Sequence, residues 1–409
     1  MGEPNAASGD RALPPNSSPV AAAVPLALPY AFSLAILFLT YWCVDIVAPA
    51  LPAIQDSLAL TATGAGLVFS VFFAGRLVTN VPAAWMAGRF GPKWTAAFGA
   101  ALLLIGSVLA AVAGAELPLL VARAIQGGGV AVLATAGLLS ALQARPERGA
   151  AMTAFNLASG LGGSGGLLTG GLLTGSLGWR SIFWLSAAIS ALMLAGSFFT
   201  RGKRTAAAAA APAEAQPMSE EGSPAGQAAA IAANFLVFAN YAIWVVALPL
   251  LGAVRFGFDP EQVAFLLLYV NVVHVLSAVP TGRAVRGVGA TRALAAGYGI
   301  AGAGLLLVPL VSSPLWLAGP MALYGIGQMA GNIAAGDLIL RLGGGGGRAV
   351  GGVRLSADIG LVAGPAAAGA IADGLGVQAP FVALGAIAMV AMAVVGVIDF
   401  RHSRWRSRG

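Results

Sequence analysis

Apolar residues come in blocks of about twenty along this chain, broken by short stretches rich in Gly, Pro and Arg. A helix needs about 20 such residues to cross about 30 Å of hydrocarbon. Blocks of that length lie near residues 30–53, 61–84, 94–114, 117–141, 151–174, 180–199, 228–252, 261–281, 292–311, 314–338, 349–374 and 379–399. The pattern predicts twelve membrane-spanning α-helices. Residues 1–27 lack the basic start, apolar core and small-residue cleavage site of a secretory signal, and read as a disordered tail. Residues 200–227 (TRGKRTAAAAAAPAEAQPMSEEGSPAGQ) have no apolar period. They read as a linker between two sets of six spans, 28–199 and 228–400, with a basic tail at 401–409.

The second set repeats the first. A shift of 198 residues lays VPAAWMAGRFGPKWTAAFG (81–99) on VPTGRAVRGVGATRALAAG (279–297), matching Val81 with Val279, Pro82 with Pro280, Gly91 with Gly289 and Gly99 with Gly297. Without a gap, the same shift pairs Gly127 with Gly325, Gly129 with Gly327, Gly162 with Gly360, Gly166 with Gly364, Gly178 with Gly376 and Phe183 with Phe381. Six spans per repeat is an even number, so equivalent helices point the same way. The halves are then related by an axis along the membrane normal.

Composition agrees. Hydrophobic residues make up 58% of the chain and charged residues 9%, against about 25% charged in ordinary globular domains. Too few charges remain to cover a water-facing surface. The fold class expected is an all-α polytopic membrane protein: twelve transmembrane helices in two parallel-repeat six-helix bundles. The net charge of +7 does not indicate a nucleic-acid partner, because the basic residues are scattered between apolar runs. Seventeen of them fall in segments on the side of the termini, among them Arg89, Lys93, Arg283, Arg286 and Arg348, against Arg180 and Arg255 on the other side. Basic loops remain in the cytoplasm, so both termini are expected there, in the cell (inner) membrane. The single Cys43 excludes an internal disulfide, and His274 and His402 have no metal-ligand spacing. Lys93 and Lys203 sit in no phosphate-binding G-x-x-x-x-G-K-[ST] loop. No cofactor, metal, nucleotide or nucleic acid is expected; the partners expected are a small-molecule substrate, protons and the bilayer, for a monomer.

Four stretches carry more specific information. AWMAGRFGPKW, between spans two and three, fits G-x-x-x-D-R-x-G-R-[RK] at Arg89, Gly91 and Lys93, with Gly88 at the acidic position and Pro92 at a basic one. RAIQGGGVA in span four fits R-x-x-Q-G-x-G-x-A through Arg123, Gln126, Gly127 and Gly129. DIVAPALPAIQDSL in span one is similar to D-x-x-x-x-x-A-L-P-x-I. GGSGGLLTGG in span five is similar to G-x-x-x-G-P-x-x-G-G, with Gly162, Gly166, Gly170 and Gly171 in place and Leu167 where the proline stands. On these residues the chain resembles the major facilitator superfamily over residues 28–400, and its drug:proton antiporter families most of all. The resemblance implies that the loop of Gly88, Arg89, Gly91 and Lys93 latches the two halves in one state. The turn itself calls for glycine at Gly88 and Gly91, where φ can be positive. Arg354 and Asp358 either lend that latch its charges or form an i,i+4 pair of their own.

Arg123 is a permanent cation in a membrane span, at a cost of about 2.5–3.5 kcal/mol on insertion scales, and so demands a partner. The resemblance places spans one and four around a central cavity, which makes Asp45 the leading candidate. A contact made and broken between them would load and release a proton; the alternatives are a static pair or an Arg123 bonded to backbone carbonyls. Other intramembrane polar residues fall at helical spacing: Tyr41 with Asp45, Asn240 with Trp244, Asn271 with His274, and the stripe Tyr324, Gln328 and Asn332. With Gln126 these are candidates to line a substrate cavity, or else interhelical glue. Asp337, Arg341, Asp373 and Asp399 lie near helix ends and read as solvated, and Phe69, Phe72 and Phe73 as packing. The expected function is secondary active transport, not catalysis: export of a small amphipathic organic compound, a drug or a metabolite, in exchange for protons by alternating access. A proton-coupled uptake permease of the same fold is the alternative.

Overall fold

The computed structural model describes residues 28–144, 148–199, 224–343 and 347–406. The tail expected at 1–27, most of the linker expected at 200–227, and residues 407–409 lie outside the described residues. All regular elements among the described residues are helical. α1 (Leu28–Asp45) and α2 (Leu51–Leu58) make the first crossing, interrupted by a turn at 46–50. α3 (Ala62–Val112) has 51 residues, a straight length of about 77 Å at 1.5 Å per residue. Gly91, with φ 79° and ψ 171°, folds it back into the second and third crossings with no intervening loop. α4 (Glu116–Ala144), α5 (Arg148–Leu177) and α6 (Arg180–Phe199) complete the first half.

The second half follows the same plan. α7 (Pro224–Ala239), a π-helical turn at Ile243–Ala247 and α8 (Leu248–Phe256) form one interrupted crossing, the counterpart of α1 and α2. α9 (Pro260–Val288), α10 (Ala290–Leu307), α11 (Ala318–Leu342), α12 (Gly347–Leu375) and α13 (Ala379–Arg406) follow. With α3 counted twice and each interrupted crossing once, the chain has its twelve spans.

The repeat is visible in the backbone. Gly91 recurs as Gly289 (φ 89°, ψ 154°) at the α9–α10 turn, and Gly178 (φ 80°) as Gly376 (φ 90°). Gly88, expected to share the strained turn, is an ordinary helical residue; the positive φ falls on Gly91. Packing repeats too. A methyl group on Gly127 of α4 would overlap the Phe72 carbonyl of α3, while Gly325 of α11 faces the Val270 carbonyl of α9, both 198 residues further on. Small residues let these backbones approach where lipid offers no hydrophobic drive for association.

Below, the face where α1 begins and α13 ends is the terminal face, and its opposite, where α3 begins and α12 ends, is the far face.

Candidate functional site

Arg123 lies inside the first half. It is 0% exposed. Its Nε donates to the Val68 carbonyl at 3.2 Å and its Nη1 to Gln126 Oε1 at 2.8 Å. Gln126 Nε2 passes the chain on to Ser107 Oγ at 2.9 Å. The guanidinium sits 4.3 Å from the centre of the Phe72 ring and 5.6 Å from that of Phe69. Gly106 makes room for Gln126, since a Cβ there would come within 2.6 Å of Gln126 Cγ. The network joins both limbs of α3 to α4.

This corrects the expected pair. Asp45 takes its hydrogen bond from the Tyr241 hydroxyl at 2.9 Å, on the other half of the molecule, and Arg123 has the partners just named. Of the three roles weighed for Arg123, the structure matches bonding to a carbonyl. Gln126, expected in a cavity, is 2% exposed and committed to Arg123 and Ser107. Phe69 and Phe72 pack, but against a cation.

The contacts between the halves run from the far face to mid-depth. At the far face Asp373, at the end of α12, accepts hydrogen bonds from the backbone N–H groups of Ala62 (2.7 Å) and Thr63 (2.8 Å) and from the Thr63 hydroxyl. It is exposed, as expected of an end residue, and at the same time caps α3. Gly369 packs on the Ala62 carbonyl, and its repeat partner Gly171 lies over Pro260 and Ala264 of α9. Deeper, the Ala366 N–H donates to Ser70 Oγ at 2.9 Å. This N–H follows Pro365, which itself has none to give. Asn271 Nδ2 donates to Ser164 Oγ at 2.7 Å.

At mid-depth Asp358, 2% exposed, receives Arg76 Nη2 on one oxygen at 2.6 Å and Asn80 Nδ2 on the other at 2.7 Å. Both donors stand on α3, so the contact crosses between the halves. The i,i+4 pair with Arg354 is not formed: Arg354 is exposed, and the ion pair of Asp358 is with Arg76. Arg76 lies 5.6 Å from the Phe73 ring, Phe73 stacks edge-on with Tyr241 at 6.0 Å, and Tyr241 binds Asp45. A continuous chain of contacts therefore links the carboxylates of Asp358 and Asp45, crossing between the halves three times. Toward the terminal face α3, α5 and α12 present open surfaces: Val81 and Leu355 are exposed, and Gly160 of α5 and Gly351 of α12 have free space where a Cβ would stand.

The remaining candidates divide. Tyr324 donates to the Asn240 carbonyl at 2.8 Å and Gln328 Nε2 to the Val237 carbonyl. Both are buried and clasp α7 where it leaves the α-helical pattern, which takes them out of a cavity wall. Asn332, on the same stripe, is half-buried, as is Tyr41, which packs edge-on to Phe155. Trp244 stacks between Tyr241 and His274, and His274 Nδ1 faces the Gly325 carbonyl at 3.2 Å. In the α3 turn, Lys93 donates to the Phe198 carbonyl at 3.0 Å, and Arg89 lies near the rings of Trp85 and Phe90. These three contacts lie within the first half.

Arg76, Asn80 and Tyr241 escaped the reading of the sequence. Arg76 was within reach: of the 22 basic residues, those outside the expected loops are Arg76, Arg123 and Arg354, and Arg76 interrupts an apolar span as Arg123 does.

Two repeat-related six-helix halves, joined by polar contacts at membrane depth, define a membrane transporter rather than an enzyme. The family model of the Major Facilitator Superfamily matches residues 33–346 and 232–408, and the chain belongs to that superfamily. It is 32% identical over 126 residues to the uncharacterized transporter YybO of Bacillus subtilis (strain 168); the matched stretch covers 30% of this chain and 29% of that relative. Among solved structures it is similar to the nucleoside transporter NupG, with a TM-score of 0.75 at 12% identity over 91% of this chain and 99% of the other. It is also similar to a POT family transporter in complex with a thioalcohol-conjugated peptide, with a TM-score of 0.69 at 15% identity over 90% and 96%. At such identities these likenesses establish the fold.

Proposed function

We propose that this transporter exports a small amphipathic organic compound in exchange for protons by alternating access, from a cell membrane in which both termini face the cytoplasm. The observation that carries the proposal is the position of its two mid-depth carboxylates. Asp45 and Asp358 each bond to a residue of the opposite half, Tyr241 for one, Arg76 and Asn80 for the other. Any rocking of one half on the other changes the partners of both. Proton binding at either carboxylate competes with those partners, which ties proton affinity to conformation. Asp45 stands beside the aromatic group Tyr41, Tyr241 and Trp244, a surface suited to the apolar part of an amphipathic substrate, with His274 and Asn332 adding polar contacts. Asp45 and Asp358 are the proposed proton carriers. Arg123 has no part in the exchange.

The test is flux in inside-out vesicles with a lipophilic fluorescent cation, ethidium, as probe. Accumulation driven by an acid interior, lost in Asp45→Asn and Asp358→Asn, is the expected result. A pH-independent flux, or wild-type pH dependence in both variants, overturns it. One feature favours the second reading, proton-coupled uptake: Leu167 replaces the proline of the exporter signature. Accumulation in right-side-out vesicles under an inward proton gradient would establish it.

A further inference from the structure

The polar contacts described between the halves lie from the far face to mid-depth. Asp373 meets the first turn of α3, where the N–H groups of Ala62 and Thr63 have no partner within their own helix. Thr61 caps the same helix by accepting from the Gly64 N–H at 3.0 Å. Asp373, a residue of the other half, fills the two donors that Thr61 leaves. A carboxylate at a helix N-terminus is favoured by the aligned peptide dipoles as well as by its hydrogen bonds. The repeat does not duplicate the contact: the residue equivalent to Asp373 is Gly175, and the start of α9 is closed by its own capping box of Asp259 and Gln262. Nor does the turn at the terminal face supply a counterpart, because Gly88 stands where the resembling pattern has an acid.

We infer that Asp373 is the clasp of the far-face gate, a positioning residue that holds α12 on the first turn of α3 and sets the resting bias of the transporter toward the state closed on the far face. The geometry makes the clasp separable. Between it and the Arg76–Asp358 pair at mid-depth the seal consists of glycine-to-backbone contacts at Gly66, Gly369 and Gly171 and two hydrogen bonds of Ser70 and Ser164, none of which carries charge. The carboxylate grips backbone, so substitutions of the α3 side chains leave most of the contact intact, whereas an amide in place of the acid loses the charge and turns one of the two accepting oxygens into a donor facing the N–H groups. The inference is independent of the direction of transport and of the coupled ion.

The test needs no substrate. Cys43 is the sole cysteine and is buried, so Cys43→Ala gives a thiol-free background. Val362→Cys, one turn from both Asp358 and Ala366 on α12, places a reporter behind the clasp. A membrane-impermeant maleimide is applied to either face of sealed vesicles. Expected is slow labelling from the far face in the parent, a rise of about tenfold in Asp373→Asn, equivalent to about 1.4 kcal/mol, and a fall in labelling from the terminal face. Asp373→Glu keeps the carboxylate and restores protection. Thr63→Val removes one of three bonds and gives a smaller rise. An unchanged far-face rate in Asp373→Asn overturns the inference. So does a rise from both faces together, which marks loosening of the fold rather than a shifted gate.

Discussion

Arg123 offers the sharpest test of how the first half is held together. Truncation to Ala removes two hydrogen bonds from a charged donor, about 1.5–3 kcal/mol each, and a desolvated ring contact of about 2 kcal/mol. Against that stands the relief of keeping a guanidinium out of water, several kcal/mol in effect. These nearly cancel. What remains is the void between the limbs of α3 and α4, about 2–5 kcal/mol for a large side chain, and the buried Gln126 Oε1 left without its donor, about 1–3 kcal/mol. Arg123→Met fills the void and keeps only the second cost. Thermal unfolding of both variants in detergent, followed by intrinsic fluorescence, is expected to give the larger fall in midpoint for Ala. Equal falls would mean that charge, not filling, is what the site needs. A Met variant with the wild-type midpoint but no flux would return Arg123 to the transport mechanism and refute the structural role.

Other substitutions probe other contacts. Gly369→Leu or Gly171→Leu places a side chain against the backbone of the opposite half and is expected to wedge the far face open, read as faster far-face labelling of a Val362→Cys reporter. Gly91→Ala must adopt a positive φ at about 1–3 kcal/mol and is expected to lower the unfolding midpoint, while Gly88→Ala, at a helical position, is not. Arg76→Gln leaves the buried Asp358 without its ion-pair partner; a shifted pH profile of ethidium flux is expected, and an unchanged profile would remove Asp358 from the coupling.

The twelve crossings and the repeat were legible because lipid and geometry write them plainly. A helix must be apolar along its whole length, and a backbone at φ 79° or 89° takes glycine at Gly91 and Gly289. The interruption of the first and seventh spans was not legible, since Asp45 and Asn240 sit in runs that remain apolar on both sides. The site was read in part. Asp45 and Asp358 stood out as membrane acids, but their partners came from positions 196 and 282 residues away, and no spacing rule spans such distances. Asp373 is the clearest case. Its partners are backbone groups about 310 residues away, and a peptide N–H has no letter in a sequence.

The interrupted first crossing also shapes what the centre of the molecule attracts. α1 stops at Asp45, and a helix that stops in mid-membrane directs the negative pole of its peptide dipoles at the residue that ends it. The carboxylate and the pole add. In surroundings where little water is present to spread that field, the region around Asp45 favours positive charge, and on the proposed function a proton and a cationic substrate would compete for it.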